Sequence, residues 1–487
     1  MAFGGHIRDW HQLRLKSWRE CRADLATESR VKGNQYALQC GKEPVGMDSA
    51  TTKGSSRPGI LPSSSVLRIF ILAAIALIAA VSTCVGVKEA AFSDPGTEGI
   101  DFQWSGAHLL SQHEDPWKLY INHQDKGKVI LGQQPNYLAE LFLLLQPLGQ
   151  MPFQQAVKWW CGLNLFFTGC ILYLVRKMFL LDRDHTLLIA FLLMASMPFR
   201  VTLHIGQQSL FVLLMLCITF YAQNPMAKGL ALGVSYSKYS FAPIIVVMLL
   251  MKRRIGVILI SSIPPLVGLL LAWRMLGGSF KSLTLEPFAV AKMAMGPGAA
   301  DIMTPLEILL RSLGFPLGVT FSIPAILGLV AAVVAAIWIG RNKRMDEKLQ
   351  FAVALILTLM CLKHVIYDFV VLVVPIAAAV MAPRSKARSI VLLCGAHFWF
   401  LTPIIQRLAP EISAMKILTY SLLLLVMGIA TSLLQLNLTA RSASVPVNDW
   451  SGAAKQHVER RVAAGVSVRL GDPESGGITS YGICLRH

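Results

Sequence analysis

Apolar runs of about twenty residues, each long enough to cross a bilayer as a helix, recur from Val66 to Leu434 of this 487-residue chain. This repetition constrains the fold more than any other feature. Lipid offers no water to exposed N–H and C=O groups, so a spanning segment is a helix or part of a closed barrel. The runs are unbroken rather than alternating, which does not suit a barrel. Composition agrees, with 54% hydrophobic and 15% charged residues and a mean hydropathy of +0.55. The formal charge of +18 does not point to nucleic acid, because Lys and Arg fall in short bursts between apolar runs, as at Lys252, Arg253 and Arg254. Such bursts set orientation through the positive-inside rule. The nine Cys show no CxxC spacing and lie mostly within apolar runs, so neither a disulfide framework nor a zinc site is indicated.

Residues 1–62 read as a disordered, basic cytoplasmic tail, with Met47 as an alternative start, and residues 437–487 as a second polar cytoplasmic tail. Between them, residues 63–436 are expected to form an all-α polytopic membrane domain of about twelve transmembrane helices. By apolar length and basic bursts, 66–87 runs outward as a retained span, 137–151 returns, 156–175 goes out and 187–203 returns. Then 209–222 goes out, 228–251 returns and 255–276 goes out, while 316–339, 349–362, 367–381, 390–407 and 414–434 alternate to bring the tail inside. Larger extracytoplasmic loops follow helices 1 and 7. One burst disagrees: Arg176, Lys177 and Arg183 fall outside, offset by Asp182 and Asp184. A rival path makes 137–151 re-entrant, but it then becomes hard to keep Lys252, Arg253 and Arg254 inside.

Ionisable residues within or beside the apolar runs are the chemical candidates, since buried charge in a membrane is costly unless paired or used. Residues 96–120, GTEGIDFQWSGAHLLSQHEDPWKLY, gather Glu98, Asp101, Glu114 and Asp115 among Trp104, Trp117 and Tyr120. Carboxylates interleaved with aromatics suit sugar chemistry, and a solvated loop with an interfacial aromatic belt explains the same residues. Lys238 lies in the middle of GLALGVSYSKYSFAPIIVV, about ten residues from either end and beyond easy snorkelling. Arg200 and His204, followed by Gly206, Gln207 and Gln208, form a second polar interruption that packing explains equally well. In CLKHVIYDFVVLVVP, Lys363, His364, Tyr367 and Asp368 fall at the external junction of two spans, with His364 and Asp368 on one face if the helix begins there. Glu286, Lys292, Asp301, Glu307 and Arg311 of the second loop show no diagnostic spacing.

The ordered segments IDFQWSGAHLL, DPWKLY, QPNYLAELFLLLQPLGQMPFQQAVKWWCGLN, MPFRVTLHIGQQSLFVLLML, KGLALGVSYSKYSFAPIIVVMLLMKRR and HVIYDFVVLVVP resemble glycosyltransferase family 87. The departures are Trp117 in place of a Tyr, a missing Gly before Pro116, and Ala139 where a Pro is common. The resemblance implies a GT-C fold and a cell-membrane enzyme that moves a hexose, mannose in the first instance, from a polyprenyl-phosphate donor. The acceptor would be an extracytoplasmic glycolipid or glycan, with inversion at the anomeric carbon. It implies Asp101 as general base with His364 as a second catalytic group, and Lys238 and Lys363 as ligands of the donor phosphate. Trp104, Trp117, Tyr120, Tyr137, Gln207 and Asp368 would line the substrate site. No cofactor and no metal are expected, since the first loop holds no Asp-x-Asp pair. The rival from another class is a membrane transporter or lipid flippase, whose titratable groups would be spread along a path through the bundle.

Overall fold

The computed structural model describes residues 65–92, 102–122, 134–294, 298–408 and 413–434. Both expected tails lie outside these residues, as does Asp101. Every regular element among the described residues is helical. Six stretches are long and apolar enough to cross a membrane: Val66–Ala91, Phe153–Phe179, Pro225–Met251, Ile255–Leu276, Gly318–Arg341 and Ala414–Ser432. A seventh is the pair α6 (Arg183–Ala195) and α7 (Met197–Ile205), bent by 59°. The bend has a local cause. Ser196 caps the second helix by accepting the Phe199 N–H, and Pro198 in its first turn supplies no donor to continue the first helix. Ala139–Gly149, Ser209–Tyr221 and Ile366–Met381 are shorter apolar helices, below the length of about twenty residues that a crossing needs.

The path of the chain differs from the alternating one expected from charge. Helix α1 (Ser65–Phe92) and the bent pair α6–α7 run parallel. Arg68 Nη1 lies 3.1 Å from Asp184 Oδ2 at their starts. At their ends, Glu89 Oε2 lies 3.7 Å from Arg200 Nε and 3.6 Å from His204 Nδ1. The reason is that α4 (Ala139–Gly149) does not cross. Tyr137, just before it, reaches Gln207 at the finish of α7, and the carbonyls of Leu148 and Met151 at its other end both accept from Trp104 Nε1. Both ends of α4 therefore lie where α1 finishes. The 27-residue helix α5 (Phe153–Phe179) brings the chain back to the start of α6.

A second correction concerns 228–251. Helices α9 (Pro225–Ser235) and α10 (Ala242–Met251) are separated by a 3-10 turn, Tyr236–Phe241, broken at Lys238 with φ −111° and ψ 77°. Gly229 packs on Ile260 and the Val257 carbonyl, and Val257 is five residues from Lys252. A straight helix would put Gly229 and Lys252 about 35 Å apart, whereas five residues span about 17 Å at most. The stretch folds back, and both of its ends lie at one end of the bundle. Lys252 there pairs with Glu347 at 3.7 Å. With these two corrections, Arg176, Lys177, Arg183, Lys252, Arg253 and Arg254 collect at one end, as do Arg341, Lys343 and Arg344. This is called the basic end below.

At the opposite, loop end lie α2 (Trp104–Ser111) and α3 (Pro116–Ile121) of the first connection, and α3 meets α13 (Phe280–Ala294) of the second. The core runs beneath them. Helix α16 (Glu347–Cys361) is buried from residue 349 to residue 359, as its all-round apolar sequence requires. By contrast α1 and α15 (Leu317–Arg341) turn most of their large side chains outward.

Candidate active site

Two broken helices meet below the loop end and bring ionisable groups together. One is the Tyr236–Phe241 turn, which carries Lys238. The other is the 3-10 turn Ile366–Leu372, which carries Asp368 and leads into α17 (Val373–Met381). The sequence explains the first break. In SYSKYS the serines compete for backbone groups, as Ser235 Oγ does by donating to the Leu232 carbonyl at 2.6 Å, and Pro243 removes a donor just beyond.

Asp368 is the hub. Its Oδ1 pairs with Lys238 Nζ and accepts the Ser209 hydroxyl at 2.5 Å, while Oδ2 lies 2.9 Å from His364 Nδ1. Lys238 Nζ also donates to Ser209 Oγ at 3.1 Å and sits 4.8 Å from the Tyr367 ring centre, a cation–π distance. All four interacting side chains are buried, so the ammonium and carboxylate neutralise each other where neither can reach water. An ionised carboxylate only accepts, so His364 carries its proton on Nδ1. Its Nε2 is buried and has no hydrogen-bond partner among the described residues, and its ring packs 4.4 Å from that of Phe241. The cluster holds one imidazole nitrogen oriented and uncommitted.

A polar shell lies toward the first loop. The Tyr137 hydroxyl donates to Gln207 Oε1 at 3.3 Å; burial and the charge of Asp368 hold that hydroxyl well above its usual pKa, so it remains a donor. Gln208 donates from Nε2 to the Phe102 carbonyl at 2.8 Å. Phe102 stacks on Trp160 with ring centres 5.5 Å apart and presses on Gly206, where a Cβ would fall 2.4 Å from Phe102 Cβ. Gly206 also has φ +66°, so no other residue fits that corner without strain. The Gly206–Gln208 corner, which leads into Ser209 of the cluster, thus holds Phe102 in place.

The remaining expected site residues fall elsewhere. Lys363 forms an ion pair with Glu307 of α14 (Met303–Ser312), both largely buried. The backbone of the second loop joins the same turn: the Ala299 N–H donates to the His364 carbonyl at 2.8 Å and the Ile302 N–H to the Met360 carbonyl at 2.9 Å. Trp117 is fully buried and donates its indole N–H to the Tyr137 carbonyl at 3.3 Å. Trp104 stacks on His108 at 4.6 Å. Tyr120 is partly buried against the core. Lys238, His364 and Asp368 are thus brought together, with Tyr137 and Gln207 beside them; Trp104, Trp117 and Tyr120 hold the loop-end helices in place. Ser209 and Phe102 were not picked out from sequence. For Ser209 a signal existed, since a serine opening an apolar helix directly after GQQ is a polar group at a helix mouth.

Among the described residues, no three His, Cys, Asp or Glu side chains gather to hold a metal ion. No curated protein and no solved structure matches the chain. The family model for glycosyltransferase family 87 matches residues 141–363, a stretch that carries Gln207, Ser209, Lys238 and Lys363 and ends at the residue before His364. Over this stretch the chain is similar to glycosyltransferase family 87, and its long apolar helices suit a multi-pass membrane protein.

Proposed function

We propose that the enzyme transfers a hexose, mannose in the first instance, from a polyprenyl-phosphate carrier to a glycolipid or glycan acceptor, with inversion, on the extracytoplasmic side of a GT-C-type fold. The observation that carries this reading is the His364–Asp368–Lys238–Ser209 cluster, with His364 Nε2 buried and uncommitted. The collection of basic bursts at the opposite end supports the orientation, since such bursts stay in the cytoplasm. In this reading the Asp101 carboxylate takes the proton of the attacking acceptor hydroxyl. The leaving lipid phosphate gains negative charge, which His364 meets by donating from Nε2 as an imidazolium while Asp368 fixes the ring. Lys238 and Lys363, expected on the phosphate, each carry a carboxylate partner, and their part is to keep Asp368 and the 360–364 turn in place. A transporter is not favoured, because the buried ionisable groups gather at one level rather than along a path.

The test is transfer of radiolabelled mannose from polyprenyl-phosphate mannose in membranes holding wild type, Asp101→Asn or His364→Ala. Each variant is expected to lose transfer by about 10²–10⁴-fold while inserting normally. Equal rates in all three would end the assignment.

A further inference from the structure

Arg200 plays no part in the cluster, yet it lies beside a cavity of about 140 Å³ lined by Ser82, Met197, Trp399, Phe400 and Ile404 among others. The cavity lies between α1, the start of α7 and a π-helical turn, His397–Leu401, that interrupts the helix ahead of α19 (Thr402–Leu408). Turns of this kind widen a helix locally and recur at functional sites. On one flank is α1, with Leu77, Ile78 and Val81 exposed; on the other is Ile404, also exposed. The mouth therefore faces the side where lipid would lie. Arg200 keeps its Nε 3.7 Å from Glu89, and its two terminal nitrogens make no hydrogen bond or ion pair among the described residues.

We propose that this groove seats the anionic lipid carrier, with its phosphate on Arg200 and its chain along Met197, Phe400 and Ile404. The inference rests on the polyprenyl-phosphate reading above and locates a site for it. A guanidinium fork suits a phosphate; Arg200 meets Glu89 through Nε at 3.7 Å and shares it with His204, whereas Lys238 and Lys363 sit directly against their carboxylates. The volume fits one chain: a cavity of about 150 Å³ holds a six-carbon ring, the size of an isoprenyl unit and too narrow for two acyl chains. The groove also adjoins the reaction centre. From the lining residue Trp399, Nε1 donates to the Phe369 carbonyl at 2.9 Å, and Thr202, two residues beyond Arg200, donates from Oγ1 to the Tyr367 carbonyl at 3.2 Å. These two carbonyls flank Asp368.

The experiment uses the full chain in nanodiscs and a photoreactive polyprenyl phosphate without sugar, with adducts mapped by mass spectrometry. Adducts are expected on the peptides around 197–204 and 399–404. Arg200→Gln should reduce them about tenfold, the loss of a charge-assisted contact, and Arg200→Lys less. Ser82→Trp, which fills the groove from α1 without touching the guanidinium, should reduce them as well. The donor KM should rise in parallel while kcat changes little. Adducts elsewhere, or adducts here that phosphatidylglycerol displaces and polyprenyl phosphate does not, would overturn the proposal; the second result would make the groove a bilayer-lipid seat. Binding is read without transfer. Groove adducts in an enzyme that transfers no sugar would sink the functional reading alone, and transfer without groove adducts would sink the site alone.

Discussion

The straight helices α1 and α15 and the two broken ones at Lys238 and Asp368 are all rich in apolar residues, yet the molecule uses them in opposite ways. Between Ile69 and Val87, and from Leu317 to Gly340, no charged residue occurs, and these helices turn their side chains outward. The broken helices each carry an ionisable residue in the middle of an apolar run, bend there, and bury it. A charge cannot stay unpaired in an apolar interior, so a helix that carries one gives up hydrogen bonds at the break to reach its partner. Lys238 and Asp368 are each other's partner. Hydropathy reads both kinds of helix as spans; only the polar interruption separates them.

The most direct way to break this comparison is all-or-none. If Pro225–Met251 crosses as a straight helix, cysteines placed at Lys228 and Arg253 are labelled from opposite faces of a sealed vesicle. The fold-back at Lys238 requires that both label from the same face, together with a cysteine at Arg183. Labelling of Lys228→Cys and Arg253→Cys from opposite sides would remove the hairpin and with it the buried cluster.

The next effect is at the hub. Asp368→Asn removes the carboxylate charge and one of the two acceptor oxygens that Lys238, Ser209 and His364 share, and leaves a buried ammonium uncompensated, which costs about 3–5 kcal/mol. Transfer should fall by about 10³-fold, because His364 loses the group that fixes its tautomer. Adding Lys238→Met should restore thermal stability in detergent, since no lone charge remains, without restoring transfer. If transfer returned along with stability, the ion pair would be only a structural staple.

A smaller effect belongs to the second pair. Glu307→Gln takes one carboxylate from Lys363, which keeps Asp301 nearby and lies at the loop end, where its flexible stem gives it a way to water. The cost should be about 1–3 kcal/mol, with transfer reduced less than about tenfold. A loss as large as that of Asp368→Asn would place this pair in the reaction rather than behind it.

Sequence alone picked out the members of the buried cluster better than their arrangement. Lys238, His364 and Asp368 stood out because charge in an apolar run needs a reason. Their meeting did not, since Lys238 and Asp368 are 130 residues apart and periodicity carries no information on which breaks face each other. Asp368, expected on the substrate, instead organises the cluster, and Trp117, expected beside it, is buried behind Tyr137. The helical class was legible from unbroken apolar length. The path was not, because charge was counted against spans that do not all cross. The anomaly at Arg176, Lys177 and Arg183 was the available clue: one non-crossing helix and one hairpin remove it together, whereas the re-entrant path alone had seemed to misplace Lys252.

The smallest effect concerns the lid formed where the two loops touch, and it sharpens the contrast between paired and unpaired acids. Glu286 of α13 accepts from the Ser282 hydroxyl and faces Asp115 and Lys118 of the first loop. Burial, with the Asp115 carboxyl adding to it, raises the Glu286 pKa above the usual glutamate value, while Ser282 and Lys118 oppose the rise. A raised pKa means that the docked loops hold this proton more tightly than the separated loops do. Docking is therefore fully favourable below the ordinary glutamate pKa and weakens as pH rises from there through the raised value, where the undocked state has already released its proton. Hydrogen exchange across 280–294 should accelerate over that window in wild type. In Glu286→Gln the protection, taken relative to the intrinsic rate at each pH, should stay at its acid-side level, because the amide is neutral at every pH. Asp368, held by three donors, gives the loops no such dependence, so a wild-type profile unchanged by Glu286→Gln would mean that another group governs the lid.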